Sequence, residues 1–101
     1  MARRPASYTE GEVQALIEHY ELLRALSGTH ARGLGWLALM ADLDAVLEQL
    51  PMPYWEVVLL HGLIGFSLTE TGLLLQVSHQ AVSKRYRHGI EEAHYLINGG
   101  A

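Results

Sequence analysis

The sequence predicts a single all-α domain of five helices, and three observations lead to this prediction. Half of the 101 residues are hydrophobic while 18% are charged, a composition typical of a folded protein whose helices have wide apolar faces. Apolar residues recur every three or four positions along most of the chain, which is the period of amphipathic helices. No stretch alternates in the manner of a strand, and the length suits one modest core. We expect helices, each bounded to within about 2–4 residues, near residues 9–26, 34–50, 54–64, 67–75 and 78–97.

The first helix has recognisable signals at both ends. Two overlapping capping boxes precede it, Ser7 with Glu10 and Thr9 with Glu12. The pair Ser27-Gly28 is expected to end it near residue 26. Its apolar positions lie on one helical face and should be buried: Val13, Leu16, Ile17, Tyr20 and Leu23.

Residues 1–8 precede this helix and form a basic tail that we expect to be disordered. Arg3 and Arg4 have no apolar run behind them, so we expect the segment to be neither a signal peptide nor a membrane anchor. An alternative use of these arginines is a minor-groove arm on DNA. At the other end, residues 98–101 are polar or small and are also expected to be disordered.

The second helix, near 34–50, has an apolar face and an acidic one. The acidic residues Asp42, Asp44 and Glu48 lie outside the apolar face, where a solvated surface is the ordinary interpretation and a partner-binding face the alternative. Together, residues 9–50 form an N-terminal helical pair that is a candidate dimerisation region. The apolar face that should enter the core consists of Leu39, Met40, Leu43, Val46, Leu47 and Leu50.

The third helix is bounded by proline on one side and glycine on the other. Pro51 and Pro53 end the second helix and start the next, and Gly65 is placed to end it. Residues 54–64 are apolar nearly all round, which predicts a central helix buried on several sides.

The last two helices, near 67–75 and 78–97, are separated by a tight turn and predict a helix-turn-helix within residues 51–97. Gly72 lies in the first of them, where a small residue lets a second helix pack closely. Leu75, Val77 and Val82 are placed to share a core between the two. The longer helix carries one inward stripe at helical spacing: Val82, Tyr86, Gly89, Ile90, Ala93 and Ile97.

Several motifs in this half resemble region four of bacterial sigma factors, the module that reads the upstream promoter hexamer. They are Leu50-Pro51, the run EVVLL at 56–60 and the run GFSLTE at 65–70. The match continues, with no insertion or deletion, through Val77-Ser78 and Val82 to Arg85-Tyr86. The resemblance covers about the second half of the chain and implies a DNA-binding helix-turn-helix. Three positions depart from the family pattern: Gln76 where Gly is usual, Thr71 for Ile or Val, and His79 for Arg.

The face of the last helix opposite its apolar stripe carries donors suited to double-stranded DNA. A recognition helix places its N-terminal residues on base edges in the major groove. Gln can pair with adenine, while Lys and Arg can pair with guanine. The candidate base contacts are His79, Gln80, Ser83, Lys84 and Arg87. The candidate phosphate contacts are Ser67, Thr69, Ser78 and Arg85, and Ser78 is also placed to cap the helix.

The charge distribution limits the strength of such binding. The formal net charge is −4, which opposes attraction to phosphates, but residues 78–90 contain three basic residues and no acidic one. One recognition helix reaches few base pairs, so a homodimer reading two half-sites is expected.

Three functions therefore remain open from the sequence. The first is a small transcriptional regulator that inserts the 78–90 helix into the DNA major groove. The second is an adaptor that contacts RNA polymerase or a sigma factor and binds little DNA itself. The third is a DNA-recognition subunit of an oligomeric machine, such as a phage small terminase.

The sequence offers no pattern for catalysis or for a cofactor, and we expect neither. His88 and Glu92 lie one helical turn apart, but no third metal ligand is placed by spacing and no HExxH pattern occurs. The chain has no Cys, which excludes disulfides and thiolate metal sites and is compatible with a cytoplasmic protein.

Overall fold

A computed structural model describes residues 7–30 and 33–100 of the chain. Within them the chain forms six α-helices and one π-helical segment, and no strand is present, so the all-α prediction is confirmed. The six helices are α1 (Glu10–Glu18), α2 (Tyr20–His30), α3 (Gly33–Gln49), α4 (Met52–Val57), α5 (Leu68–Leu75) and α6 (His79–Ile97). The π segment, Val58–Ile64, continues directly from α4.

The prediction of one helix over 9–26 is wrong, because two helices occupy this region and the second continues to His30. The break falls at His19, whose φ of −108° and ψ of 17° depart from helical values. Hydrogen bonds still reach across it, from the N–H of His19 to Ala15 O and from the N–H of Leu23 to His19 O. The chain therefore bends here without unwinding.

Tertiary packing explains the bend at His19. Helix α1 packs against α6 and the π segment, while α2 packs against α3 and the π segment. A straight helix cannot follow both surfaces, and neither Gly nor Pro marks the break. The predicted end at Ser27-Gly28 fails for a different reason: Gly costs a helix interior only about 1 kcal/mol relative to Ala, which surrounding structure can offset.

Helix α6 lies at the centre of the fold and packs against α1, α3, α4, α5 and the π segment. Its predicted inward stripe is confirmed, since every member is buried except Ile97, which is half-buried. The predicted apolar face of α3 is likewise buried, apart from half-buried Leu39. The core contains Val13, Ile17, Leu43, Val46, Leu47, Leu50, Val57, Val58, Leu63, Val82, Tyr86, Ile90 and Ala93.

Gly62, within the π segment, allows this segment to pack closely against α1 and α6. A Cβ added at Gly62 would stand 2.8 Å from Ile17 Cγ2 and 3.1 Å from Tyr86 Cε1, so only glycine admits both neighbours here. Val57 and Val58 are fully buried, as predicted for a central helix, but Ile64 is 54% exposed. Gly65 ends the segment with φ 100°, the left-handed conformation that glycine adopts without strain.

The two ends of the described chain meet at Asn98. Its side-chain oxygen accepts from the N–H of Tyr8 at 2.8 Å, and its amide donates to Tyr8 O at 2.9 Å. Asn98 lies in the segment predicted to be a disordered tail. It thus joins the end of α6 to Tyr8, two residues before α1. The arginines Arg3 and Arg4 lie outside the described residues.

None of the helices, over the ranges that the structure describes, is both long enough and apolar enough to cross a membrane.

Candidate functional site

Helices α5 and α6 are joined by three residues, and each helix begins at a serine cap. The Ser67 hydroxyl accepts from the N–H of Glu70 at 3.0 Å, and the Glu70 carboxylate accepts from the N–H of Ser67 at 2.8 Å. Ser78 caps α6 as its position predicted, since its hydroxyl accepts from the N–H of Ala81 at 3.1 Å. Both starts are therefore fixed by local hydrogen bonds.

The turn between the two helices depends on Gln76 and Gly72. Gln76, which stands where the sigma pattern has Gly, adopts the left-handed conformation (φ 61°, ψ 43°), which is strained for a residue with a side chain. A Cβ added at Gly72 would lie 2.6 Å from the carbonyl oxygen of Val77. Gly72 thus allows α5 to approach the beginning of α6 more closely than any other residue would.

The five predicted base-contacting residues lie on one exposed strip of α6, which we call the α6 face. All five are exposed, while Val82 and Tyr86 on the opposite side are buried. From first to last the strip extends for about 12 Å along the helix axis, at about 1.5 Å per residue. The α6 face consists of His79, Gln80, Ser83, Lys84 and Arg87.

The positive charges near this strip are not neutralised by the protein. Within residues 7–30 and 33–100, none of Lys84, Arg85 and Arg87 forms an ion pair. The carboxylate of Glu70, on α5, is hydrogen-bonded to its own cap. The guanidinium and ammonium groups can therefore donate to an anionic ligand.

The four predicted phosphate contacts differ in how well their surroundings suit an anion. Ser67, Thr69 and Ser78 are exposed near helix N-termini, where N–H groups and the helix dipole favour anions. At Ser67, however, the carboxylate of Glu70 already accepts from the backbone, and its charge opposes a phosphate there. Arg85 is half-buried and, one residue after Lys84, lies about 100° further round the helix than its neighbour.

Beneath the α6 face, a polar contact anchors the helix to the first half of the chain. The hydroxyl of Tyr86 donates to the Glu18 carboxylate at 2.9 Å, and Gln14 donates to the same oxygen. The His61 ring stands edge-on to the Tyr86 ring, with centroids 4.6 Å apart. Burial, then the hydrogen bond and charge of Glu18, raise the pKa of Tyr86 well above its usual value. Periodicity predicted the inward direction of Tyr86 but nothing of this partner.

Thr71, on α5, is fully buried, and its hydroxyl has no hydrogen-bond partner among the described residues. This is one of the positions at which the sequence departs from the sigma pattern of Ile or Val. A buried hydroxyl without a partner costs stability where an aliphatic side chain would not.

A second polar cluster joins α2 to α3. The hydroxyl of Tyr20 donates to Asp44 at 2.6 Å, and Arg24 bonds both Tyr20 and Asp44. Burial raises the pKa of the Asp44 carboxyl, but the hydrogen bonds from Arg24 and Tyr20 outweigh it and leave the pKa below its usual value. Asp44 was interpreted from the sequence as part of a solvated surface. It is instead a bridge between helices, while Asp42 and Glu48 are exposed.

Beside this cluster, α2, α3, α4 and the π segment enclose an open groove of about 680 Å³, which we call the acidic groove. Apolar side chains that include Leu47, Trp55 and Leu59 line it. The three charged residues of its lining are all acidic: Glu21, Asp44 and Glu48.

A second groove, of about 600 Å³, lies along α1 and α2 and is mainly apolar. Leu22, which lines it, is 58% exposed, and Leu26, one helical turn later, is 37% exposed. Other apolar side chains also face solvent, among them Leu73 (75%) and Leu74 (57%) on α5. Helical periodicity did not distinguish these residues from core ones, because spacing alone does not show which apolar positions remain uncovered.

The structure offers no additional support for the His88–Glu92 metal hypothesis. Among the described residues, no three His, Asp or Glu side chains are grouped closely enough to hold a metal ion. The His88 ring instead stands edge-on to Tyr54, with centroids 6.2 Å apart.

Comparison with models of known protein families, with curated proteins and with solved structures finds no match to this chain.

Proposed function

We propose that this chain is a sequence-specific double-stranded DNA-binding protein, a small transcriptional regulator that inserts residues 78–90 of α6 into the major groove. The single observation that carries the proposal is the α6 face, an exposed strip of donors on a helix buried along its opposite side. A major groove about 12 Å wide admits one helix, provided that the helix projects its donors outward.

The junction between α5 and α6 supports a helix-turn-helix reading of this region. A three-residue turn and the close approach at Gly72 are typical of that motif. In the motif, the first helix positions the second and contributes phosphate contacts. The sequence resemblance to sigma region four points to the same arrangement.

Roles on α6 follow from exposure and chemistry. Gln80 is suited to bidentate pairing with adenine, and Lys84 or Arg87 to guanine. His79 and Ser83 complete the base-reading set. Arg85, off the centre of the face, is suited to a phosphate, together with hydroxyls at the helix starts, Ser67, Thr69 and Ser78.

The proposal is tested by selecting binding sites from random duplex oligonucleotides at moderate salt, then measuring affinity for the selected site. The variant Lys84→Ala/Arg85→Ala/Arg87→Ala should bind at least about 100-fold more weakly, since one base contact is worth about 1–3 kcal/mol. Gln80→Ala should relax preference at one base position. Arg85→Ala should weaken binding to all sequences alike and lower the salt slope by roughly one.

A charge-matched control separates local contacts from net charge. Ala38→Glu/Ala41→Glu/Gln49→Glu alters three exposed positions on α3 and lowers the net charge by the same three units. This control should retain affinity within a few-fold, because it leaves Arg85 and every donor of the α6 face in place. If the triple-alanine variant folds by circular dichroism and binds as tightly as the parent, α6 does not read DNA.

The second candidate function, an adaptor that contacts RNA polymerase or a sigma factor, is favoured by one observation. Leu73 and Leu74 are exposed side by side on α5, and exposed apolar patches mark interaction sites. The oligonucleotide selection discriminates the two functions, because an adaptor with little DNA binding would enrich no sequence.

We further propose a homodimer formed through the N-terminal helices, which would present two α6 faces to two half-sites. Leu22 and Leu26 lie one turn apart on the same exposed side of α2, next to the second groove. Light scattering at tens of micromolar should give twice the 11.2 kDa of one chain, and Leu22→Glu/Leu26→Glu should halve it. A monomer whose mass is unchanged by DNA would contradict the dimer, and a ring-sized mass would favour the terminase-like alternative.

A further inference from the structure

The acidic groove is an uncovered apolar surface in the part of the chain that the DNA proposal does not use. Two large apolar side chains at the groove, Met52 and Ile64, are 62% and 54% exposed. Such side chains normally become buried when a protein docks.

The charge of the groove restricts what can dock there. Its charged lining residues are three carboxylates, and no Lys or Arg of residues 7–30 and 33–100 lines it. Arg24 partners Asp44, but within the described residues Glu21 and Glu48 have no hydrogen-bonding or ion-pair partner. An acidic rim repels the phosphates of nucleic acids and attracts basic side chains.

Among the side chains that the structure describes, a second copy of the chain does not supply the complement that this surface needs. In the described ranges, the basic side chains other than Arg24 are Lys84, Arg85 and Arg87, all on the first half of α6. Their exposed neighbours on that strip are polar, so the strip lacks apolar side chains to fill the groove. The exposed leucines of α5, Leu73 and Leu74, lie on a helix with no basic residue.

We propose that the acidic groove binds a basic amphipathic helix of a partner protein. The apolar residues of that helix, spaced at i, i+3 or i+4, and i+7, enter the groove among Leu47, Trp55 and Leu59. Lys or Arg residues on its flanks pair with Glu21 and Glu48 at the rim. The proposal is independent of DNA binding by α6.

Trp55 provides a direct reporter, because it lines the groove and the chain contains only one other Trp. In a Trp36→Phe background, the full chain is titrated without DNA against three synthetic peptides of about 18 residues, roughly five helical turns. The first has a leucine stripe flanked by Lys, and the second has Glu in place of Lys. The third has the composition of the first, with its leucines scattered around the helix.

The Lys-flanked peptide should change Trp55 fluorescence saturably and bind at least about tenfold more tightly than either of the other two. Its affinity should fall as salt is raised, because the pairs at the rim are solvent-exposed.

A charge swap gives the decisive comparison. Glu21→Lys/Glu48→Lys should reverse the preference, so that the Glu-flanked peptide binds more tightly than the Lys-flanked one. The matched control Glu10→Lys/Glu91→Lys changes two exposed acids that do not line the groove and should keep the parental preference.

Three results would overturn the proposal. The first is equal binding of the striped and scattered peptides. The second is a charge-swapped variant that keeps the parental preference. The third is a chain that dimerises in light scattering and becomes monomeric with Ile64→Glu, which would make the groove a contact between two copies.

Discussion

The two halves of the chain join their helices in different ways. Between α5 and α6, three residues with defined roles make the turn, and a serine hydroxyl starts each helix. Between α1 and α2, the single residue His19 bends the chain while hydrogen bonds continue across it. The first junction is encoded by its own residues, whereas the second depends on what each helix packs against. Substitutions should therefore have larger and more local effects at the α5–α6 junction.

The largest difference is expected between two glycines, one in each half. Gly72→Ala places a Cβ 2.6 Å from the Val77 carbonyl, a backbone atom that cannot move aside cheaply, and should cost at least about 2 kcal/mol of unfolding free energy. Gly11→Ala meets only the Thr9 hydroxyl, at 3.9 Å, and should be neutral or stabilise α1 by up to about 1 kcal/mol. Urea unfolding followed by circular dichroism measures both. Equal effects would contradict the close approach of α5 to α6.

An intermediate effect on stability is expected when Phe replaces either of the two tyrosines whose hydroxyls donate to carboxylates. Tyr86→Phe should cost about 1 kcal/mol at neutral pH, since it removes the bond to Glu18. Because the folded-state pKa of Tyr86 is raised above its ordinary value near 10, its contribution is complete below pH 10 and is lost as pH rises further. The parent should therefore lose stability above about pH 10 more steeply than Tyr86→Phe does.

Tyr20→Phe is the comparison in the other half and should act at both ends of the pH range, because burial and the hydrogen bond to Asp44 raise the pKa of Tyr20 as well. Hydrogen bonds from Arg24 and Tyr20 lower the Asp44 pKa, so this carboxylate stabilises the fold above its ordinary value near 3.8, and the contribution is lost as pH falls. Removing the Tyr20 hydroxyl should make that acid loss shallower. Thermal unfolding, followed over a range of pH values, measures the loss of stability at both the acid and the alkaline end. A Tyr20→Phe variant that loses stability at acid pH as steeply as the parent would contradict the assignment.

The smallest effect is expected for two glutamines replaced by glycine. Gln76→Gly relieves a left-handed conformation and should raise stability by about 0.5–1 kcal/mol. Gln14→Gly places glycine in α1, removes the bond to Glu18 and should lower stability by about 1 kcal/mol. Chemical unfolding midpoints give both values. A loss of stability in both variants would show that Gln76 is not strained in its turn.

Much of the α5–α6 region was predictable because its signals are short-range. Ser78 precedes the helix that it caps, and the spacing of Val82 and Tyr86 determines which side of α6 is buried. Once that side is known, Lys84 and Arg87 must lie on the opposite, exposed side. What these side chains bind is a separate question, which the DNA selection addresses.

Other features have no local signal. The Tyr86 hydroxyl donates to Glu18, which lies 68 positions earlier in the chain. Asp44 accepts from Tyr20 and Arg24, which lie 24 and 20 positions earlier, respectively. The acidic groove exists only because residues of α2, α3, α4 and the π segment meet around it. Such contacts depend on how helices are placed in space, which their individual periodicities do not specify.

The sequence by itself determined the helical class of this protein, the starts of α5 and α6, the close packing of a second helix at Gly72 and the buried side of each long helix. These properties arise from hydrogen bonds and side-chain spacing within one or two turns of a helix. Only the tertiary structure decided the bend at His19, the π segment beneath α6 and the apolar surfaces left open, because each results from the packing of helices distant in sequence. The exposure of the α6 face could be predicted from the sequence, whereas the acidic groove became apparent only in the tertiary structure.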